Sequence, residues 1–189
     1  MDSISANRLD AISQKVRQIV ANEPGYFAIA VIDLATRQKW TYNSQPMRSA
    51  SLIKLFIMAE AYAQIHAGQL NQADRLTFTE SDRVGGAGLL QELPAGTSRT
   101  LLELIELMIT ESDNIATNLL IERLGMAQIN VRIQTLGCQD SVLRRRMMDF
   151  AAAAAGQENL TSVNDVATVL AALHRGGCLD PASDRQMCT

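Results

Sequence analysis

Residues 48–54 read Arg-Ser-Ala-Ser-Leu-Ile-Lys, and the segments on either side of them decide the architecture. Upstream, residues 26–34 are apolar and rich in β-branched types, residues 33–37 are turn-like, and residues 39–43 make a second short apolar run. This pattern predicts a β-hairpin that pairs residues 27–32 with residues 39–42. Downstream, residues 51–67 are strongly apolar and end at Gly68, which predicts a helix. Ser51 and Lys54 therefore stand where a hairpin hands over to a helix, at a spacing that puts both on one helical face.

Working outward, Leu9, Ile12, Val16 and Ile19 recur at helical spacing within residues 5–21, and Pro24 with Gly25 stops that helix. Thr100 and Glu103 form a capping-box pattern that opens a helix to about Thr110. Further helices are expected over residues 115–124 and 127–136, each closed by a glycine. Ser162 with Asp165 caps another that runs to Arg175, and one more begins near Pro181. Residues 83–88 form a glycine-rich loop, and the alanine run 151–155 is compatible with helix or loop wall. Everything after the hairpin reads as helix and loop, giving an α+β chain with one visible hairpin. A lone two-stranded hairpin is marginal in water, so this order implies further strands.

Composition narrows the function classes. The 189 residues, 47% hydrophobic, are enough for one domain that buries about 70% of its unfolded surface without staples. A net charge of −3 speaks against a nucleic-acid partner. Cys138, Cys178 and Cys188 are an odd number without CxxC spacing, so buried or incidental thiols are expected, with no metal and no cofactor. No run approaches the ~18 apolar residues of a membrane span, and none is expected. The N-terminal residues carry Asp2 and Asp10, where a secretory leader has a basic start and an apolar run. As written, the chain reads as cytoplasmic.

Two short motifs carry chemistry. A serine hydroxyl is a weak nucleophile until a base takes its proton. Lys54 can be that base for Ser51 if burial or nearby positive charge lowers its pKa. A capping serine followed by a solvated lysine has the same spelling. Ser112, Asp113 and Asn114 lie between two helices, where Ser112 can relay a proton and the Asn114 amide can bind a substrate carbonyl or orient Lys54. All three are also good N-caps, Asp113 above all.

Ser-x-x-Lys and Ser-Asp-Asn, in this order, belong to the signature of class A β-lactamases and penicillin-binding proteins. Residues 48–54 after a hairpin, 84–88 (Val-Gly-Gly-Ala-Gly), 94–97 (Pro-Ala-Gly-Thr) and 107–118 together resemble class A β-lactamase-related serine hydrolases. The resemblance covers nearly the whole chain, to about Gly177. It implies one β-lactamase-like domain over residues 1–189, a helical lobe with an incomplete antiparallel sheet. It further implies Ser51 as acylated nucleophile, Lys54 as proton acceptor, Ser112 as relay to the leaving nitrogen and Asn114 as a substrate-binding amide. The Ser51 backbone N–H would give one half of an oxyanion hole. The implied substrate is a small-molecule β-lactam or acyl-D-Ala amide, and the implied role is β-lactam catabolism and resistance; the alternatives are a slow-deacylating penicillin-binding or D-Ala-D-Ala peptidase relative and a catalytically dead truncated homologue. Relatives are usually exported.

The chain also departs from that family. No Lys-Thr-Gly occurs, and in the family this motif lies on a late strand, so the late strands are expected to be missing from this chain. An unfinished sheet edge favours self-association. The family's Glu-x-x-x-Asn pattern, whose glutamate activates the deacylating water, is absent from residues 143–150; Asp149 and then Glu158 are the nearest acids. Arg144, Arg145 and Arg146 are compatible with pairing to acids there or with a solvated basic face. His66 and His174 lack a second ligand at metal spacing, Met58, Met108, Met147 and Met148 read as packing, and Trp40 is expected to cover the hairpin face.

Overall fold

The computed structural model describes residues 2–189, with side chains from Leu9 onward. The first helix, α1 (Asp2–Val20), leads into the hairpin β1 (Ile29–Ile32) and β2 (Lys39–Tyr42). Ile29 faces Tyr42 and Val31 faces Trp40 across the ladder. The hairpin forms with its second strand as expected, but β1 begins at Ile29. The Phe27 carbonyl is instead capped by the Asn43 side-chain amide at 3.1 Å, which ends the ladder there. Trp40 stacks on Tyr42, and Arg17 of α1 lies 5.8 and 5.5 Å from their ring centres, so α1 and Trp40 close one hairpin face.

The chain then builds a helical lobe around α2 (Lys54–His66), which packs against α3 (Leu101–Thr110), α4 (Asn114–Leu124), α5 (Met126–Thr135) and the late helix α8 (Pro181–Met187). A helix that is apolar nearly all round belongs in the middle of a lobe. Phe56, Ile57 and Ala61 of α2 are 0% exposed. Leu101, Leu104, Ile105 and Met108 bury one stripe of α3, and Ile129 with Ile133 does so on α5. The Thr100 capping box forms in both directions: its hydroxyl accepts from Glu103 N–H at 3.2 Å and its own N–H reaches the Glu103 carboxylate at 2.6 Å. Such a cap contributes about 1 kcal/mol. Four of the five alanines of residues 151–155 lie in a short helix, α6 (Phe150–Ala154), with Ala155 as its C-cap, and α7 (Val163–His174) lies against β1.

Not everything after the hairpin is helix and loop. β3 (Met47–Arg48) pairs with β6 (Leu160–Thr161), and β4 (Arg75–Thr77) with β5 (Ser98–Thr100), both antiparallel. Ladders of two or three residues are too short to leave a period-two signature. Ser162 caps α7 through Asp165 N–H at 3.3 Å. The Asp165 carboxylate does not close a reciprocal box; it accepts from Asp140 N–H and from the Ser141 hydroxyl, tying the loop before β6 to α7.

Among the described residues no helix is long and apolar enough to cross a membrane, and no three His, Cys, Asp or Glu side chains gather at metal-binding distance. His66 pairs with Asp180 at 3.1 Å between α2 and α8. Burial pushes the Cys138 thiol up to about 12 and that of Cys178 to about 11.

Candidate active site

Ser51 does not sit inside α2. It lies on a 3-10 turn, Ala50–Ile53, that feeds α2 at Lys54. The residue before it, Ala50, is held at φ +45°, a left-handed conformation that costs a β-carbon-bearing residue about 1–3 kcal/mol. The turn is anchored from outside: Ser49 N–H donates to the Asn159 carbonyl at 2.9 Å, continuing the β3–β6 pairing. This presents the Ser51 side chain to solvent while Ile53 and Lys54, two and three residues on, are buried.

Lys54 is 2% exposed and its ammonium donates three hydrogen bonds: to the Ser112 carbonyl at 2.6 Å, the Ser112 hydroxyl at 2.9 Å and the Asn114 amide oxygen at 3.1 Å. The Ser112 hydroxyl in turn lies 2.9 Å from that of Ser51. The described path from lysine to Ser51 thus runs through Ser112. Burial lowers the Lys54 pKa to about 8, against an opposing pull from the Asp113 carboxylate. Near neutrality about a tenth of such amines are free to accept a proton.

Ser112 holds this position because its loop bends sharply, with φ +53°. Asp113, 0% exposed, is the anchor: one oxygen caps α4 through Ala116 N–H at 2.9 Å, the other takes Leu90 N–H at 2.8 Å. The glycine-rich loop completes the clasp. Asn114 donates from its backbone to the Ala87 carbonyl at 3.0 Å and from its side chain to the Gly85 carbonyl at 3.1 Å. Sequence reading missed this role for residues 85–90, because nothing local links a glycine loop to a tripeptide more than twenty residues later.

Beside Ser51 lies a cleft of about 200 Å³ lined by Lys54 and Ser112 and walled by Leu52, Ile109, Val166 and Leu170 among others. Larger cavities, of about 570 Å³, lie away from the serine.

A second loop, residues 143–149, is locked to α4 by Asn118, one turn beyond Asn114. Its side chain accepts from Met147 N–H at 2.7 Å and donates to the Met147 carbonyl at 3.1 Å. Asp149 is exposed and caps α6 through Ala152 N–H at 2.9 Å. Glu158 is clamped between Arg145 at 2.5 Å and Arg48 at 3.4 Å, and its hydrogen bond from Arg145 holds its carboxyl below the usual range. Arg146 pairs with Glu122. Two of the three loop arginines are therefore paired.

Comparison with known proteins places the chain and its fold. The chain is 27% identical over 184 residues to a β-lactamase of Rhodobacter capsulatus, covering 95% of this chain and 62% of that protein. It superposes on a β-lactamase from Sphaerobacter thermophilus DSM 20745 with TM-score 0.78 and 32% identity, over 85% of this chain and 60% of that one. On a mutant of PBP-A in an acyl-enzyme complex with penicillin G the values are TM-score 0.83 and 30% identity, over 94% and 67%. The chain spans roughly six tenths to two thirds of the length of these relatives. The fold is the α+β fold of the β-lactamases. The family described as the β-lactamase enzyme family is matched over residues 11–189, across the hairpin, the Ser51 turn and the Ser112 loop alike, and to that family the chain belongs.

Proposed function

We propose that Ser51 forms an acyl-enzyme with the amide carbonyl of a β-lactam, or of a related acyl-D-Ala compound, and that water then releases the acyl group. The observation that carries this reading is the continuous path from the Lys54 amine through the Ser112 hydroxyl to the Ser51 hydroxyl, at 2.9 Å for each step. With Lys54 neutral, Ser51 Oγ bonds to the carbonyl carbon. Its proton passes to Ser112 Oγ as the proton of Ser112 passes to Lys54 Nζ. When the C–N bond breaks, the leaving nitrogen takes a proton from Ser112, which Lys54 replaces. The Ser51 proton has then moved to the amine, and Lys54 is neutral again.

Asn114 holds the Lys54 amine and is the amide assigned to the substrate. The Ser51 N–H is assigned to the oxyanion. For release, Asp149 is the assigned base, since among the described residues it is the loop acid outside an ion pair, whereas Glu158 is held by two arginines. A second reading, slow release as in a penicillin-binding peptidase, draws on the same residue: one Asp149 oxygen is already engaged in capping α6. The β1 edge opposite β2 carries no described strand partner, which supports self-association through that edge.

The test is intact mass after exposure to penicillin. An adduct that maps to Ser51 and is absent from Ser51→Ala is expected; an unmodified chain would refute the reading. The lifetime of the adduct separates hydrolysis from trapping.

A further inference from the structure

We propose that Gly86 is a positioning residue for the Lys54 amine, acting through the orientation of the Asn114 amide. This inference rests on the acylation reading above and adds a residue that touches neither the reacting serine nor the lysine.

The Asn114 amide has two ends with opposite hydrogen-bond character. Its oxygen accepts from the Lys54 ammonium at 3.1 Å and its nitrogen donates to the Gly85 carbonyl at 3.1 Å. Turned over, the amide would aim N–H groups at an ammonium and an oxygen at a carbonyl, two repulsive contacts in place of two attractive ones. The Gly85 carbonyl therefore decides which end faces Lys54. It can do so only if the loop lies almost on the amide. A Cβ at position 86 would stand 2.5 Å from Asn114 Nδ2 and 3.3 Å from Met148 Sδ. The first distance is far inside van der Waals contact, so any side chain at 86 must push the amide or the loop away. Gly86 thus sits at the meeting point of the 83–90 loop, the Ser112 loop and the Met148 loop, where only a hydrogen fits.

The chemical consequence has a sign. Displacing the Asn114 oxygen removes one of the three acceptors of the Lys54 ammonium, so the charged form is less favoured and the amine titrates at lower pH. The same displacement loosens the relay, so the rate at saturating pH falls.

Gly96 supplies the control. It has φ +90°, against +89° for Gly86, but a Cβ there meets nothing within 4 Å. Gly86→Ala and Gly96→Ala therefore impose nearly the same positive φ on alanine, and of the two only the first brings a Cβ against Asn114. The experiment titrates the Lys54 side chain by NMR in both variants, alongside the pH profile of acylation by a fluorescent penicillin. Gly86→Ala is expected to lower the Lys54 midpoint by about half a pH unit or more and the plateau acylation rate by about tenfold. Gly96→Ala should leave both as in the unsubstituted protein. Identical titrations in the two variants would overturn the proposal. If Gly86→Ala fails to fold, the pair Asn114→Ala and Gly86→Ala/Asn114→Ala decides. With the amide gone, a methyl at 86 keeps only the Met148 contact, so the double variant should recover a cooperative thermal unfolding transition, and a double variant that still fails to fold while Asn114→Ala folds would overturn the proposal. Failure of the unsubstituted protein to label would refute acylation, while the NMR titration still reads the link from Gly86 to Lys54.

Discussion

The helical lobe and the hairpin are closed to very different degrees. Phe56, Ile57, Leu101, Leu104 and Leu120 are 0% exposed, whereas all four residues of β1 are only half-buried. Ser51, Lys54, Ser112 and Asn114 all hang from the closed lobe: on the turn into α2, on α2 itself, between α3 and α4, and on the first turn of α4. Nearer the open side, Leu52, Ile109 and Leu170 are roughly half exposed around the Ser51 cleft. Placing the Lys54–Ser112–Ser51 hydrogen-bonded path on saturated packing keeps its distances fixed, because a well-packed interior resists displacement. The half-covered hairpin contributes no residue to that path.

The sharpest way to probe this division is to damage each side separately. Lys54→Ala removes the buried amine and should slow acylation by about 10²–10⁴-fold, read as the rate of penicillin labelling. A variant that labels at the normal rate would move the base elsewhere. Phe56→Ala should cost about 3–5 kcal/mol in chemical denaturation, while Ile29→Ala on half-buried β1 should cost about 1–2 kcal/mol. Equal losses would erase the contrast between the two regions. Asp149→Asn keeps a capping side chain but loses the carboxylate, so α6 should stay intact while release of the acyl group slows by about a hundredfold. An unchanged adduct lifetime would assign Asp149 to capping alone.

The smallest effect is the pH dependence. Because folding lowers the Lys54 pKa to about 8, the neutral amine gains population as pH rises. Acylation should therefore climb about tenfold between pH 7 and its plateau above pH 8. A flat profile across that range would show that the amine does not accept the proton.

Much of this was written locally. The Thr100–Glu103 box, the caps at Asp113 and Ser162 and the turn between β1 and β2 depend on groups a few residues apart, so the chain specifies them before it folds. The two motifs were legible for the same reason: their residue types carry the chemistry whatever surrounds them. What the sequence alone determined, then, was the order of the helices, the hairpin and the residue types present in the two motifs.

Tertiary structure decided how those groups meet. The path from Lys54 to Ser51 runs through the Ser112 hydroxyl because a loop from between two other helices comes down on the lysine. Asp165 leaves its capping partner for Ser141, Asn118 takes both backbone groups of Met147, and Glu158 is claimed by two arginines. The lowered proton affinity of Lys54 is likewise absent from its own neighbourhood in the chain. Hydrogen bonds and desolvation act over a few ångströms in space, and no local pattern records which distant segment will fill them.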